Sequence, residues 1–151
     1  MIRIRPALPS DPEALSDLAA RSEAHWGDDP AFLAAFREHY RVTGEYLARN
    51  KVFVAEEEGS ILGFYALADG AEGLELDYMY LEPSLLGRGL GRRLWEHMAD
   101  YCRAAGTPTV HLVCSPGPKA FYLRMGAVEA GAAESLVAPG RKVSRLVYRI
   151  P

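Results

Sequence analysis

The stretch Leu86-Gly87-Arg88-Gly89-Leu90-Gly91-Arg92 has the composition that most demands a chemical reason. Three closely spaced glycines cost conformational entropy, so the backbone there must reach positive φ or approach something closely. The stretch lies between a strand-like run and an amphipathic one, which makes it a turn opening a helix. Such a turn presents unpaired N–H groups and the positive end of a helix dipole. That is an anion site, suited to phosphate. Arg88, Arg92 and Arg93 add positive charge beside it. The spacing excludes two familiar phosphate loops. The glycines do not fall as Gly-x-Gly-x-x-Gly, and no Gly-Lys-Ser/Thr follows them. Cys102 and Cys114 make neither a disulfide framework nor a zinc site and read as buried free thiols.

The elements that must position this turn are legible from periodicity. Ile2 to Arg5 alternates as a strand. Ser10-Asp11-Pro12-Glu13 starts a helix, by a Ser10–Glu13 capping box or an Asp11 cap, with Leu15, Leu18 and Ala19 as its stripe. Asp29-Pro30 opens a second helix bearing Phe32, Leu33, Phe36 and Tyr40, and a short helical turn runs from Thr43 to Arg49. Val52–Ala55 and Ile61–Leu67 form a hairpin, residues 69–73 a loop, and Leu74–Leu81 a third strand. In an unbroken strand Leu74, Leu76, Tyr78 and Tyr80 share one face, with Glu75, Asp77, Met79 and Leu81 on the other. Beyond the glycines, Leu90, Leu94, Met98, Tyr101 and Ala105 mark a helix. Val110–Cys114 is a strand, Lys119–Met125 a short helix, and strands follow around Val128 and from Ser144 to Ile150. This order implies a mixed sheet with helices on its faces.

Composition bounds the rest. A chain of 151 residues with 49% hydrophobic and 25% charged residues makes one domain, spanning 1–151. A net charge of −3 argues against nucleic acid bound by bulk charge. No apolar run reaches the ~18–20 residues of a membrane helix, and the N-terminus lacks a secretion signal, so the expected location is cytoplasmic.

Met79-Tyr80-Leu81-Glu82-Pro83 followed by Gly87-Arg88-Gly89-Leu90-Gly91-Arg92-Arg93-Leu94 resembles the acyl-coenzyme-A signature of the GCN5-related N-acetyltransferase (GNAT) superfamily. Phe121-Tyr122-Leu123-Arg124-Met125-Gly126 resembles its second motif, a Tyr-x-x-x-Gly closing the last helix. The order of elements fits over the whole chain. Two positions depart from the pattern: Leu86 stands where the glycine loop begins with Gln or Arg, and Ser115 where Asn is frequent. The resemblance implies an α/β (α+β) fold. Its sheet is mixed and mostly antiparallel, with about six to seven strands flanked by about four helices and splayed between the fourth and fifth strands.

It also implies a cofactor, acetyl-CoA, and a set of roles. The amides of Leu86, Gly87, Arg88, Gly89, Leu90, Gly91 and Arg92 would hold the pyrophosphate. The pantetheine arm would pair with the strand at Met79, Tyr80 and Leu81, and a backbone N–H there would polarise the thioester. Ser115 would bond the arm, and Phe121 would pack against cofactor or core. Tyr122 matches the family's general acid. Its ordinary pKa of about 10 keeps it protonated beside a thiol of about 8.5. Glu75 and Asp77 sit on the strand the family uses for the base or a water relay, with His111 and His25 as rivals. His25 and Trp26 lie in the region that builds the acceptor pocket, among Glu23, Asp28 and Asp29. Residues 138–142 form a turn placed to close over the site.

The resulting expectation is acetyl transfer to a primary amine of a small molecule, directly in a ternary complex. Alternatives are a non-catalytic acyl-CoA-binding regulator and an acetyltransferase for protein N-termini or lysines. Neither nucleic acid, membrane nor metal is expected. A homodimer follows only by analogy.

Overall fold

The computed structural model describes residues 1–27 and 29–151. In chain order the elements are β1 (Arg3–Pro6), α1 (Pro12–Ala24), α2 (Pro30–His39), α3 (Gly44–Arg49), β2 (Lys51–Glu57), β3 (Ser60–Gly70) and β4 (Gly73–Leu81). A single 3-10 turn (Pro83–Leu85) precedes α4 (Leu90–Ala104), β5 (Thr109–Cys114), α5 (Pro116–Arg124), β6 (Val128–Glu134) and β7 (Lys142–Arg149). The strands form one seven-stranded sheet in the order β1-β2-β3-β4-β5-β7-β6. All neighbours are antiparallel except β4 and β5, which run parallel.

The parallel pair is the hinge of the architecture. Its ladder registers only at Glu75 opposite His111. Beyond that point the two strands part, as the resemblance implies, and their C-terminal ends form the walls of a cleft. Each sheet face carries its own core. On one, α4 packs Leu94, Trp95 and Met98 against Tyr65, Leu67, Val110 and Leu112. On the other, α1 and α2 bring Leu15, Leu18 and Phe36 against Val54, Phe64 and Tyr78. Burying side chains of this size contributes about 1.5–3 kcal/mol each, which seats the helices that carry the site.

Helix starts follow local chemistry. Asp29 caps α2 by accepting from the Phe32 N–H at 2.7 Å, and Thr43 caps α3 by accepting from Tyr46. At α1 neither expected cap forms. Asp11 occupies the N-cap, but its carboxylate accepts from the Arg5 guanidinium at 2.8 Å and the Leu8 N–H at 2.7 Å instead. Arg5 also pairs with Glu56 at 3.0 Å, so β1, β2 and the start of α1 are tied together by one small ionic cluster.

Two expectations change. The loop at residues 69–73 contracts to two residues, because β3 continues to Gly70 and pairs it with Gly73. The face assignment of β4 also fails above Leu76. Ala66 pairs with Tyr78 and Leu67 with Leu76, leaving Asp77 as an unpaired extra residue in a β-bulge. The bulge moves Tyr78 and Tyr80 to the α1–α2 face, while Leu74, Leu76, Met79 and Leu81 pack towards α4. Among the described residues no helix is long and apolar enough to cross a membrane.

Candidate active site

The splay between β4 and β5 opens into a cleft of about 1070 Å³. At one end lies the glycine turn. Gly87 and Gly89 hold φ of 78° and 87°, and Gly89 is the N-cap of α4. The first α4 amide with a helical acceptor is that of Arg93, bonded to the Gly89 carbonyl at 3.1 Å. The N–H groups of Leu90, Gly91 and Arg92 therefore lack intrahelical partners, as at any helix start. Gly91 serves a different need. A Cβ there would lie 3.0 Å from the Phe121 ring, so glycine lets α5 close on α4.

Leu86, Gly87, Gly89, Gly91 and Arg92 line the cleft. Arg88 and Leu90 do not have lining side chains. Leu90 is buried in the core, and Arg88 is exposed beside the turn. Arg93 leaves the proposed basic cluster altogether. Its guanidinium donates to the Ile2 carbonyl at 3.1 Å and pins the N-terminal strand.

The cleft wall on β4 is a strand edge. Met79, Tyr80 and Leu81 pair with Tyr65, Phe64 and Gly63 of β3 on one side. On the other, the ladder to β5 has already ended at Glu75. An extended ligand with amide groups has backbone donors and acceptors to meet there.

Opposite this edge, α5 begins at Ser115, which makes no side-chain capping bond, so its hydroxyl is not consumed by its own helix. Tyr122 follows, 7% exposed, against Phe121 and Trp95 with ring centroids 5.4 and 5.9 Å away. It lines the cleft and makes no hydrogen bond within the described residues. Burial, followed by the charges of Cys114 and Glu23, raises its pKa above the ordinary tyrosine value. The hydroxyl is a donor throughout the physiological range. Burial likewise pushes the Cys114 thiol up to about 11, against the opposing pull of Lys119, so this cleft cysteine is no thiolate at neutral pH.

The far end of the cleft gathers acids and aromatic rings. Glu75 and Asp77 both line it. Asp77 accepts a short bond, 2.5 Å, from the Tyr46 hydroxyl, whose pKa is raised by burial and by that bond. His111 also lines the cleft, with Nδ1 3.7 Å from Glu72, which in turn pairs with Arg145 at 3.1 Å. Glu23 lines it from the last turn of α1 and is 8% exposed. Trp26 reaches across to α5, where a Cβ on Gly117 would lie 2.6 Å from its ring. From the other side the Arg141 guanidinium stacks over Phe32 of α2 at 4.4 Å, so the turn at residues 138–142 does reach the cleft.

Several sequence expectations resolve here. Tyr80 lines the cleft, while Tyr78 sits in the α1–α2 core. His25 is exposed, its ring edge against Trp26, and does not line the cleft. Asp29 is a helix cap rather than a cleft acid. Asp28 lies outside the described residues. The Tyr46–Asp77 bond and the Arg141–Phe32 stack were not anticipated. Neither partner pair is close in sequence, and only the capped start of α3 hinted that Tyr46 is fixed in place.

The Acetyltransferase (GNAT) family matches residues 12–127. A protein of Pseudomonas phage PaMx11, named 5-NmdU N-acetyltransferase, is 30% identical over 144 residues, 93% of this chain and 95% of that protein. An IAA acetyltransferase of Azospirillum brasilense is 33% identical over 86 residues, 54% of this chain and 56% of that protein. Among solved structures, the PaiA N-acetyltransferase of Thermoplasma acidophilum in complex with coenzyme A superposes with a TM-score of 0.82. It covers 99% of both chains at 17% identity, which is a likeness of fold.

Proposed function

The chain belongs to the Acetyltransferase (GNAT) family, and on that premise we propose that it transfers the acetyl group of acetyl-CoA directly to a primary amine of a small molecule within a ternary complex. The observation that carries this reading is the meeting of three features in one cleft. These are an open β4 edge, an N-terminal helix turn of unpaired amides, and a buried tyrosine hydroxyl.

The residues present fit the cofactor. The amides of Leu86–Arg92, with the Arg92 side chain, suit the pyrophosphate. The edge at Met79–Leu81 suits the two amides of the pantetheine arm, and Ser115 offers a further hydroxyl. Acetyl-CoA supplies an acyl group activated as a thioester. A backbone N–H of Met79 or Tyr80 would polarise the thioester carbonyl. The bound thioester would supply the acyl group to an amine nitrogen, with the thiol of CoA as the leaving group. Tyr122 is the residue that would give a proton to that sulfur. An alkylammonium near pKa ~10 is mostly charged at pH 7, so a proton must leave it first. Glu75 and Asp77, which both line the cleft, are the candidates to take that proton through a water relay.

Two observations favour a small acceptor and direct transfer. Trp26 against Gly117 and Arg141 over Phe32 narrow the acceptor end from both sides, which favours a small acceptor over a peptide. A thiol held near 11 at Cys114 is a poor nucleophile, which argues against a covalent acyl-enzyme. The relative named an N-acetyltransferase supports nitrogen as the acceptor atom. The test is amine-dependent release of free CoA from acetyl-CoA. Binding of acetyl-CoA without such release would instead support the regulatory alternative.

A further inference from the structure

We infer that Tyr46 is a positioning residue for acyl transfer: from behind the cleft wall it holds the Asp77 carboxylate that takes up the amine's proton. This rests on the amine-acetylating reading of the cleft and deepens it, by choosing one proton acceptor and naming the group that orients it.

Asp77 needs such a partner because of the bulge. A strand residue in register has its side-chain direction set by the pleat. Asp77 stands between the pairs Ala66–Tyr78 and Leu67–Leu76 and has no partner of its own on β3. The bulge re-aims its side chain, and a contact from outside the sheet must then fix it. The Tyr46 hydroxyl makes that contact, donating to Oδ2 at 2.5 Å. Asp77 lines the cleft and Tyr46 does not, so the bond reaches the carboxylate from the protein side.

Tyr46 is itself held firmly. Its N–H donates to Oγ1 of Thr43, and its carbonyl accepts from the N–H and Nδ2 of Asn50, each at 3.1 Å. Its ring meets Tyr78 edge to face at 5.3 Å. The six residues of α3 thus form a bracket for one hydroxyl. Burial, and then the bond itself, raise the Tyr46 pKa well above the ordinary tyrosine value. Near neutral pH the hydroxyl can only donate, and a donor favours the ionised form of the carboxylate it meets.

Position separates Asp77 from Glu75. The Glu75 side chain folds back on Gly70 at the closed end of the splay, where a Cβ would lie 2.3 Å from its carboxylate. Asp77 stands nearer the Met79 edge. The titratable groups around Asp77, besides Tyr46, are the hydroxyls of Tyr40 and Tyr78, with Glu75, Glu23 and His111 sharing the cleft. One proton moves: it leaves the ammonium nitrogen, crosses a water and ends on the Asp77 carboxylate, and the nitrogen keeps its lone pair.

The test measures CoA release from acetyl-CoA with benzylamine, butylamine and ethanolamine, at pH 7 and pH 9.5, in wild type, Tyr46→Phe, Asp77→Asn and the double variant. At pH 7 Tyr46→Phe should lower kcat about 10-fold, the lower worth of a hydrogen bond to a charged group, with the KM for acetyl-CoA unchanged. Asp77→Asn should lower it about 10²-fold, and the double variant should fall no further. The uncharged share of an alkylamine rises from about a thousandth at pH 7 to about a quarter at pH 9.5, so both losses should shrink several-fold at the higher pH. A merely structural role would cost the same at both. Equal kcat in wild type and Tyr46→Phe at pH 7 overturns the inference. So does a Tyr46→Phe loss that persists at pH 9.5, or one that adds in full to that of Asp77→Asn. Tyr46→Phe keeps the ring against Tyr78. Should it nonetheless fail to fold, Thr43→Ala, which frees the Tyr46 N–H, carries the same test: a loss at pH 7 that shrinks at pH 9.5 supports the role, and wild-type turnover overturns it. Wild-type turnover in Asp77→Asn overturns the choice of Asp77 while leaving acetyl transfer standing. No CoA release by wild type with any of the three amines overturns acetyl transfer itself, and the role of Tyr46 with it.

Discussion

Gly89→Val separates cofactor binding from folding. Gly89 caps α4 at φ 87°, and no atom lies within 4 Å of where a Cβ would stand. The substitution meets no steric neighbour, so its cost is backbone strain. A left-handed L-residue costs roughly 1–2 kcal/mol, with a β-branched one at the upper end. At about 2 kcal/mol the melting temperature should fall by about 4–8 °C for a domain of this size, and the fold should survive. The turn relieves its strain by rotating towards negative φ, which re-aims the amides of Leu90, Gly91 and Arg92. Losing two charge-assisted hydrogen bonds to phosphate, at about 1.5–3 kcal/mol each, lowers CoA affinity by at least about 100-fold. Calorimetric titration with CoA, beside a thermal melt of the same sample, reads both quantities. A folded variant binding CoA as wild type does would refute the assignment of this turn to the pyrophosphate.

Other variants address the remaining parts. Tyr122→Phe should lower kcat about 10²- to 10⁴-fold, the range for a positioned acid, while the KM for acetyl-CoA changes little in steady-state assays. Because burial raises the Tyr122 pKa, the acid stays protonated up to at least pH ~10, and kcat in wild type should not fall between pH 8 and ~9.5. Cys114→Ala should keep most of its turnover, and its loss would contradict direct transfer. Asp11→Ala should cost about 2–4 kcal/mol in urea melts at pH 7, through the lost Arg5 and Leu8 partners. The folded-state pKa of Asp11 lies below its ordinary value, held there against burial by Arg5. Its stabilisation is thus complete above pH ~4 and lost as pH falls through the folded value, so wild type and variant should converge in acid.

Local chemistry made much of this legible in the sequence. Asp29-Pro30 and Thr43 announce α2 and α3 because capping is a contact between near neighbours. The glycine turn declares itself because glycine is costly unless positive φ or close approach requires it, and Gly89 and Gly91 meet those two needs. What escaped depends on long-range register. The Asp77 bulge regroups Tyr78 and Tyr80, yet it arises from pairing with β3 and leaves no local mark. Arg93 looked like a phosphate ligand by proximity in sequence, while its actual partner is Ile2. His25 and Trp26 looked equivalent. The contact with Gly117, ninety-odd residues on, takes Trp26 into the cleft and leaves His25 outside. Glu23 was one acid among several until the fold buried it in the cleft wall.

The most direct test of the account is a stoichiometric one. Wild-type protein is mixed with acetyl-CoA and a panel of aryl and alkyl primary amines, and free CoA and acetylated amine are quantified in the same samples. The account predicts release of CoA that requires an amine and matches the acetylated product one for one. Saturable binding of acetyl-CoA with no amine-dependent release from any member of the panel would contradict it.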